Sequence, residues 1–117
     1  MDILLAADPP DLEGALFNIQ QAAEKGLKGF LTWHDIPFRK THHLAEVGGQ
    51  CAEIDRTLAP LVERADELTK YAWTFRYPGS PYEATLDEAR AAAALAREVF
   101  EAVLNRLPPE VHPPSAP

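Results

Sequence analysis

The amino-acid sequence predicts an all-α protein, an antiparallel helical bundle that is up-and-down and four-helix-like, with a truncated first helix. Two observations predict this class. No stretch keeps the strict alternation of apolar and polar residues that marks a half-buried strand. Eleven prolines divide the chain, and the segments between them repeat apolar residues at intervals of three and four, as one face of a helix requires.

The first long helix is predicted between Pro10 and Pro37, with Asp11 as its N-terminal cap. Its apolar stripe comprises Leu12, Leu16, Ile19, Ala23, Leu27 and Phe30. Gly26 and Gly29 lie inside this helix, where each glycine costs up to about 1 kcal/mol relative to alanine. We therefore expect their small size to serve a close contact with another backbone.

Two further helices are predicted in the middle of the chain. A short helix over residues 43–54 follows Thr41, which we expect to be its cap. A third helix begins after Thr57, and Pro60 falls in its first turn, where the missing N–H is harmless. This helix should continue to about Arg76, ahead of Pro78.

The two ends of the chain complete the predicted domain. Thr85 and Glu88 have the spacing of a capping box, so the last helix should begin there and run to Leu107. Residues 1–107 are then one helical domain, and the proline-rich residues 108–117 are predicted to be a flexible tail. The apolar segment from residue 3 to residue 7 is too short for a full bundle edge. We expect a helix from a second chain to cover the exposed seam.

Composition excludes several classes of protein. The net charge of −7 argues against a broad phosphate-binding surface, although a local basic patch remains compatible with it. Cys51 is the only cysteine, so neither an intrachain disulfide nor a site built on several thiolates can form. The apolar runs are short and the start of the sequence lacks the pattern of a signal peptide. We expect a cytoplasmic protein that does not enter a membrane.

A polar face on the first helix is the first candidate site. Gln21, Lys25 and Lys28 fall on one side of the helix, next to Gln20 and Glu24. One interpretation is an ordinary solvated surface with a Glu24–Lys28 ion pair. The other is an interface, because two adjacent glutamines can form amide hydrogen bonds between helices.

A second candidate is the cationic segment Arg39-Lys40-Thr41-His42-His43, which precedes a helix. Free N–H groups and the helix dipole attract anions at such a position, so a phosphate would fit. The alternative is a capped helix start with an exposed loop. We predict no metal site, since His42 and His43 are neighbours and neighbouring side chains on a helix diverge by about 100°.

A third candidate is an aromatic cluster after the third helix. It comprises Tyr71, Trp73, Phe75, Arg76, Tyr77 and Tyr82. One interpretation is a hydrophobic plug that closes the end of the bundle. The other is a nucleotide or RNA site, in which Arg76 meets a phosphate and a tyrosine stacks on a base. No Ser–His–Asp order, glycine-rich phosphate loop or paired-carboxylate motif stands out from chance.

Several of these segments together resemble one known family. They are the run Gln20–Lys28, the tripeptide Lys40-Thr41-His42, the stretch Phe75-Arg76-Tyr77-Pro78-Gly79, and an alanine-rich final helix. In this order and at this spacing the sequence resembles the HEPN domain family of prokaryotes, over about residues 8–107. The resemblance implies an all-α bundle that commonly dimerises and is often encoded beside a minimal nucleotidyltransferase. Many members act as toxins or RNA-cleaving components.

The ribonuclease motif of this family is not well placed here. Nucleolytic members carry an arginine and a later histidine with four to six residues between them, a pair suited to phosphate binding and proton transfer. In this sequence only Arg106 and His112 have that spacing, and two prolines separate them. After Arg76 the corresponding positions hold Pro81, Tyr82 and Glu83.

These observations lead to a functional prediction. We expect a dimeric, nucleotide- or RNA-associated component of a toxin–antitoxin or nucleotidyltransferase-partner system, with no cofactor, no metal and no DNA ligand. The predicted phosphate-binding residues are Lys25, Arg39, Lys40, His42, Arg76 and Tyr77, and the predicted dimer-cleft residues are Gln20 and Gln21. One alternative is a metal-independent ribonuclease toxin that uses Arg76 with His42 or Tyr82. Another is a purely structural helical adaptor.

Overall fold

The computed structural model describes residues 11–38, 40, 43–72 and 84–108. Its α-helices are α1 (Leu12–Trp33), α2 (Leu44–Ile54), α3 (Ala59–Ala65) and α4 (Leu86–Leu104), with 3₁₀ segments at Arg56–Leu58 and Asp66–Ala72. Within these residues there is no strand, so the predicted all-α class is confirmed. The predictions for residues 1–10 and 109–117, including the short first segment and the tail, lie outside the described residues.

Side-chain bridges show that the chain runs antiparallel in its second half. Arg64 on α3 pairs with Glu98 in the middle of α4 at 2.7 Å. Asp55, which precedes α3, pairs with Arg106, which follows α4, again at 2.7 Å. Because the earlier residue of one segment meets the later residue of the other, α3 and α4 point in opposite directions.

The predicted caps of the two long helices are confirmed. The Asp11 carboxylate accepts a hydrogen bond from the backbone N–H of Gly14 at 2.8 Å, and the Thr85 hydroxyl accepts one from the N–H of Glu88 at 3.1 Å. In a complete capping box the glutamate would turn back to its own helix start. Here the Glu88 carboxylate accepts a hydrogen bond from the Tyr71 hydroxyl, so it ties the second 3₁₀ segment to α4.

The core lies between α1 and the elements around it. The buried side of α1 carries Leu16, Ile19, Ala23, Leu27, Phe30 and Leu31, and α4 contributes Ala89, Ala92, Leu95, Ala96, Val99 and Val103. The small alanines of α4 face the larger residues of α1, and these two helices form the most extensive contact in the fold. For α1 this matches the apolar stripe that the sequence predicts.

Cys51 packs at the contact between α2 and α1. Its side chain is fully buried, and its thiol donates a hydrogen bond to the carbonyl of Leu27 at 3.4 Å. Burial disfavours the charged thiolate and raises the pKa of Cys51 to about 12. The cysteine is therefore a packing residue.

The prediction of one continuous third helix is wrong. The α-helix ends at Ala65, and residues Asp66–Ala72 form the tighter 3₁₀ helix. The physical reason is a set of hydrogen bonds to α2. The Thr69 hydroxyl accepts from the N–H of Leu44 at 3.0 Å, and the Asp66 carboxylate accepts from the N–H of Ala45 at 3.2 Å. These side chains face the start of α2, and periodicity within one helix carries no information about that distant partner.

The same hydrogen bonds replace the cap that the sequence predicts for α2. The helix begins at Leu44, and His43 occupies the N-cap position without a side-chain cap hydrogen bond. Thr41, the predicted cap, lies outside the described residues. The N–H groups at the helix start are satisfied instead by Asp66 and Thr69, two residues far along the chain.

The expectation for Gly26 and Gly29 is also wrong within the described part of the chain. Apart from the adjoining backbone of α1, a Cβ atom at either position would have no neighbour within 4 Å. The glycine that does permit a close approach is Gly48 on α2, where a Cβ would collide with the side chain of Val62 on α3. The seam between α2 and α3 therefore depends on Gly48, which the sequence analysis did not single out.

The loop after α1 has a defined shape. Asp35 adopts a left-handed conformation with φ of 56°. The N–H of Ile36 donates to the carbonyl of Leu31 at 2.9 Å, and the N–H of Asp35 donates to that of Thr32 at 3.1 Å. This pair of bonds is the Schellman motif, which satisfies the last carbonyls of a helix and fixes the direction of the chain that leaves it.

We expect Thr69→Val to destabilise the fold by about 1–2 kcal/mol, because it leaves the buried N–H of Leu44 without its acceptor. Urea unfolding measures the effect. Thr32→Val is the control, since its hydroxyl donates to a carbonyl on the exposed side of α1, and it should change stability by no more than about 0.5 kcal/mol. Equal effects of the two substitutions would contradict the role of Thr69.

The ion pair at the Asp55 end predicts a specific response to acid. Hydrogen bonds from Thr57, and then from Arg106, hold the pKa of Asp55 below its usual value. A lowered folded-state pKa contributes stability that is present above the unfolded-state pKa, near pH 4, and is lost as the pH falls through the folded-state pKa. The stability difference between the natural protein and Asp55→Asn should therefore shrink from pH 7 to pH 3. A difference that is unchanged between these pH values would contradict this.

Candidate functional site

A row of hydrogen-bonded polar side chains runs along α1 from the core to the surface. The amide of Gln21 donates to the Gln20 side-chain oxygen at 2.7 Å, and the amide of Gln20 donates to Glu24 at 3.3 Å. Lys28 then pairs with the second oxygen of Glu24, also at 3.3 Å. We call these four residues the α1 polar row.

The α1 polar row is more buried than a solvated surface would be. Gln20 is fully buried and Glu24 is only 5% exposed, whereas Gln21 is half-buried. The predicted Glu24–Lys28 pair is present, but the interpretation of the whole face as solvated is wrong for Gln20 and Glu24. A carboxylate this deeply buried requires partners, and Gln20 and Lys28 supply two of them.

The predicted dimer-cleft role of the two glutamines is not tested by these contacts. The Gln20 side chain is already covered by residues of its own chain. Gln21 remains partly accessible on the edge of α1, one residue further round the helix. A cleft role therefore stays a prediction, and it concerns Gln21 more directly than Gln20.

The predicted phosphate-binding lysines are at the surface. Lys25 projects from the outer side of α1, opposite the core, and Lys40 is exposed in the loop before α2. Lys28 is less exposed than either, with 20% of its side chain accessible, and its ammonium lies 5.2 Å from the centre of the Phe38 ring. The loop that carries Lys40 is anchored to α2 because the Gln50 amide donates to the carbonyl of Pro37 at 2.8 Å.

The start of α2 does not offer the free donors that the anion hypothesis assumes. The N–H groups of Leu44 and Ala45 are taken by Thr69 and Asp66. The Asp66 carboxylate also brings a negative charge to this helix end, where a phosphate would be repelled. Any phosphate bound near Lys40 would therefore have to rely on side chains.

Most of the predicted aromatic cluster lies outside the described residues, as do Arg39 and His42. This applies to Trp73, Phe75, Arg76, Tyr77 and Tyr82, whose roles remain predictions. Tyr71 is described, and it is buried against the core. Burial, together with its hydrogen bond to Glu88, raises the pKa of the Tyr71 hydroxyl. For this residue the structure agrees with the plug interpretation.

An exposed apolar group at the end of α1 was not predicted from the sequence. Trp33 and Phe38 are 46% and 38% exposed, and Ile36 between them is also exposed.

These three residues lie in residues 25–43, which we call the basic segment. It contains four of the 11 lysines and arginines, three of the four histidines and only one of the 18 acidic residues. Counting charges over short windows would have found it, whereas the net charge of the chain conceals it.

Comparison with known proteins supplies one match. The family model for the HEPN domain matches residues 4–107 of the chain. The chain belongs to the HEPN domain family. No curated protein and no solved structure matches this sequence.

A metal-binding cluster and a membrane-spanning helix are both absent from the described residues. Among the described residues, no group of three or more histidine, cysteine, aspartate or glutamate side chains is arranged to hold a metal ion. The helices that the structure describes also include none that is both long and apolar enough to cross a bilayer. What the surface offers instead is a set of lysines beside exposed rings at one end of α1.

We expect Lys28→Met to lower the stability of this HEPN domain by about 1–2 kcal/mol, because it removes the cation that faces the buried Glu24 carboxylate. Lys25→Met is the matched control on the same helix. Lys25 is exposed, so its replacement should change stability by no more than about 0.5 kcal/mol. Thermal or urea unfolding of both variants measures the difference, and equal losses would contradict the role of Lys28.

Proposed function

We propose that this HEPN domain is a dimeric, nucleotide- or RNA-binding component of a toxin–antitoxin or nucleotidyltransferase-partner system. The observation that carries the proposal is the basic segment. An otherwise acidic chain gathers cations there, with Lys25 and Lys40 exposed to solvent. Local positive charge of this kind attracts phosphates, and the acidic remainder of the surface restricts binding to that region.

The proposals of dimerisation and of a nucleotidyltransferase partner are supported by family membership and not by the basic segment. Both are what membership of the HEPN family suggests, since members commonly dimerise and are often encoded beside such an enzyme. The proposal treats partner binding and ligand binding as separate properties, because different measurements detect them.

The proposal expects binding without efficient RNA cleavage. Arg106, the one arginine followed by a histidine at the spacing of the nucleolytic motif, is occupied elsewhere. Its guanidinium donates to the Asp55 carboxylate and to the Thr57 hydroxyl, both at 2.7 Å. An arginine held by these two bonds is a structural residue, which argues against its use in RNA cleavage.

Fluorescence anisotropy with a labelled ATP analogue and with labelled single-stranded RNA tests ligand binding. We expect the double variant Lys25→Ala/Lys40→Ala to weaken binding at least about fivefold and to reduce the slope of log affinity against log salt by about 1.4 for RNA, or about 0.7 for each lost phosphate contact. The control is Arg90→Ala/Arg97→Ala, which removes two exposed cations from α4 and should leave binding unchanged.

Three other results would overturn parts of the proposal. Absence of binding to both ligands at low salt would discard the ligand half. A monomeric mass by light scattering, in the presence and absence of ligand, would discard the dimer. Cleavage of RNA in EDTA that is lost in Arg76→Ala would favour the ribonuclease alternative, in which Arg76 acts with His42 or Tyr82.

A further inference from the structure

We propose that Trp33 and Phe38 are stacking sites for unpaired bases of single-stranded RNA, on the outer side of the last turns of α1. This inference rests on the proposed function and deepens it, since it names the ligand class and two residues that were not among the predicted site residues. The inference concerns base stacking on aromatic side chains, whereas the proposed function concerns phosphate attraction by lysines. Separate variants can distinguish these two contributions to binding.

Both rings are exposed although the local backbone is fixed. Trp33 is 46% exposed and Phe38 is 38% exposed. The Schellman motif holds the chain at Asp35, and the Gln50 amide holds the carbonyl of Pro37. Large rings that remain accessible on a backbone held in this way lose little further freedom when a ligand binds.

The two rings lie on different sides of the outer surface of α1. The Lys28 ammonium lies over one face of the Phe38 ring, 5.2 Å from its centre, so a base would stack on the opposite face. Trp33 is five residues further along the helix, which places it about 140° around the axis from Lys28. Lys25 and Gly29 fall between them. The two rings therefore lie on either side of the exposed Lys25.

The surface of α1 between the two rings includes a position without a side chain. Gly29 carries no side chain, and apart from the adjoining backbone of α1 nothing in the described structure comes within 4 Å of where its Cβ atom would be. A flat base or a ribose can approach the backbone of Gly29 without meeting a side chain at that position. This gives Gly29 a purpose, which contacts within the described chain do not supply.

Stacking rings beside lysines favour single-stranded RNA over other ligands. Aromatic rings stack on unpaired bases of any sequence, while lysines follow the phosphates. In a duplex the base faces are already stacked on one another. A free nucleotide has one base and can occupy one ring at a time, whereas an oligonucleotide can reach both. We therefore expect affinity to rise from AMP to a ten-residue RNA strand and to fall again for the duplex of the same sequence.

The test compares single aromatic variants for binding of a labelled ten-residue RNA. Trp33→Ala and Phe38→Ala should each weaken binding at least about fivefold, the lower end of the measured effect of losing one stacked base. Phe100→Ala is the control, because Phe100 is also 46% exposed but lies on α4. In a Trp73→Phe background, fluorescence of the remaining Trp33 should be quenched by the RNA strand.

The outcomes separate this inference from the proposed function. RNA binding that depends on Lys25 and Lys40 but not on Trp33 or Phe38 would overturn the stacking inference alone. Absence of RNA and nucleotide binding by the natural protein would overturn both. If Trp33→Ala leaves RNA binding intact and converts a dimer into a monomer, the surface is a protein interface and the inference is wrong. Circular dichroism of each variant checks that the helices are retained.

Discussion

The packing of α1 is the constraint on which the rest of the structure depends. One side of this helix supplies large apolar residues to the core, where the alanines of α4 and the buried face of α2 meet them. Because that side is committed to the core, the lysines and glycines of the opposite side are left at the surface. The α1 polar row lies along the boundary between the two and connects the buried Gln20 to the surface lysine Lys28. Core and candidate site are therefore two sides of one helix, and a substitution on the boundary affects both.

The second constraint is the contact between α2 and the second 3₁₀ segment. Thr69 and Asp66 satisfy the N–H groups at the start of α2, so the helix does not need a local cap. The same bonds deny those N–H groups to a ligand and place a carboxylate beside them. This is why the candidate site consists of side chains on α1 and its loop, and not of a helix terminus. The position of the loop after α1 also depends on α2, because the Gln50 amide of α2 donates a hydrogen bond to the carbonyl of Pro37.

The parts of the fold that follow from local chemistry were predictable. Proline positions and apolar spacing located the four helical regions, and Asp11 and Thr85 were recognisable as caps because a cap acts within one turn. The 3₁₀ segment was not predictable, because its cause is a hydrogen bond between Thr69 and Leu44, 25 residues apart. The glycines of α1 were misread because their cost is visible in a sequence but their neighbours are not. The Lys25 and Lys40 predictions drew on local charge, whereas the net charge of −7 concealed the extent of the basic segment.

The burial of Cys51 has a practical consequence for chemical labelling of this protein. The thiol is the only one in the chain, it is fully covered, and at neutral pH it remains protonated because its pKa is about 12. Maleimide dyes and spin labels react with accessible thiolates, so they would leave the natural side chain untouched. A cysteine introduced at an exposed position would be the single attachment point. Distances between two such points can then be measured without first removing a residue that packs against Leu27.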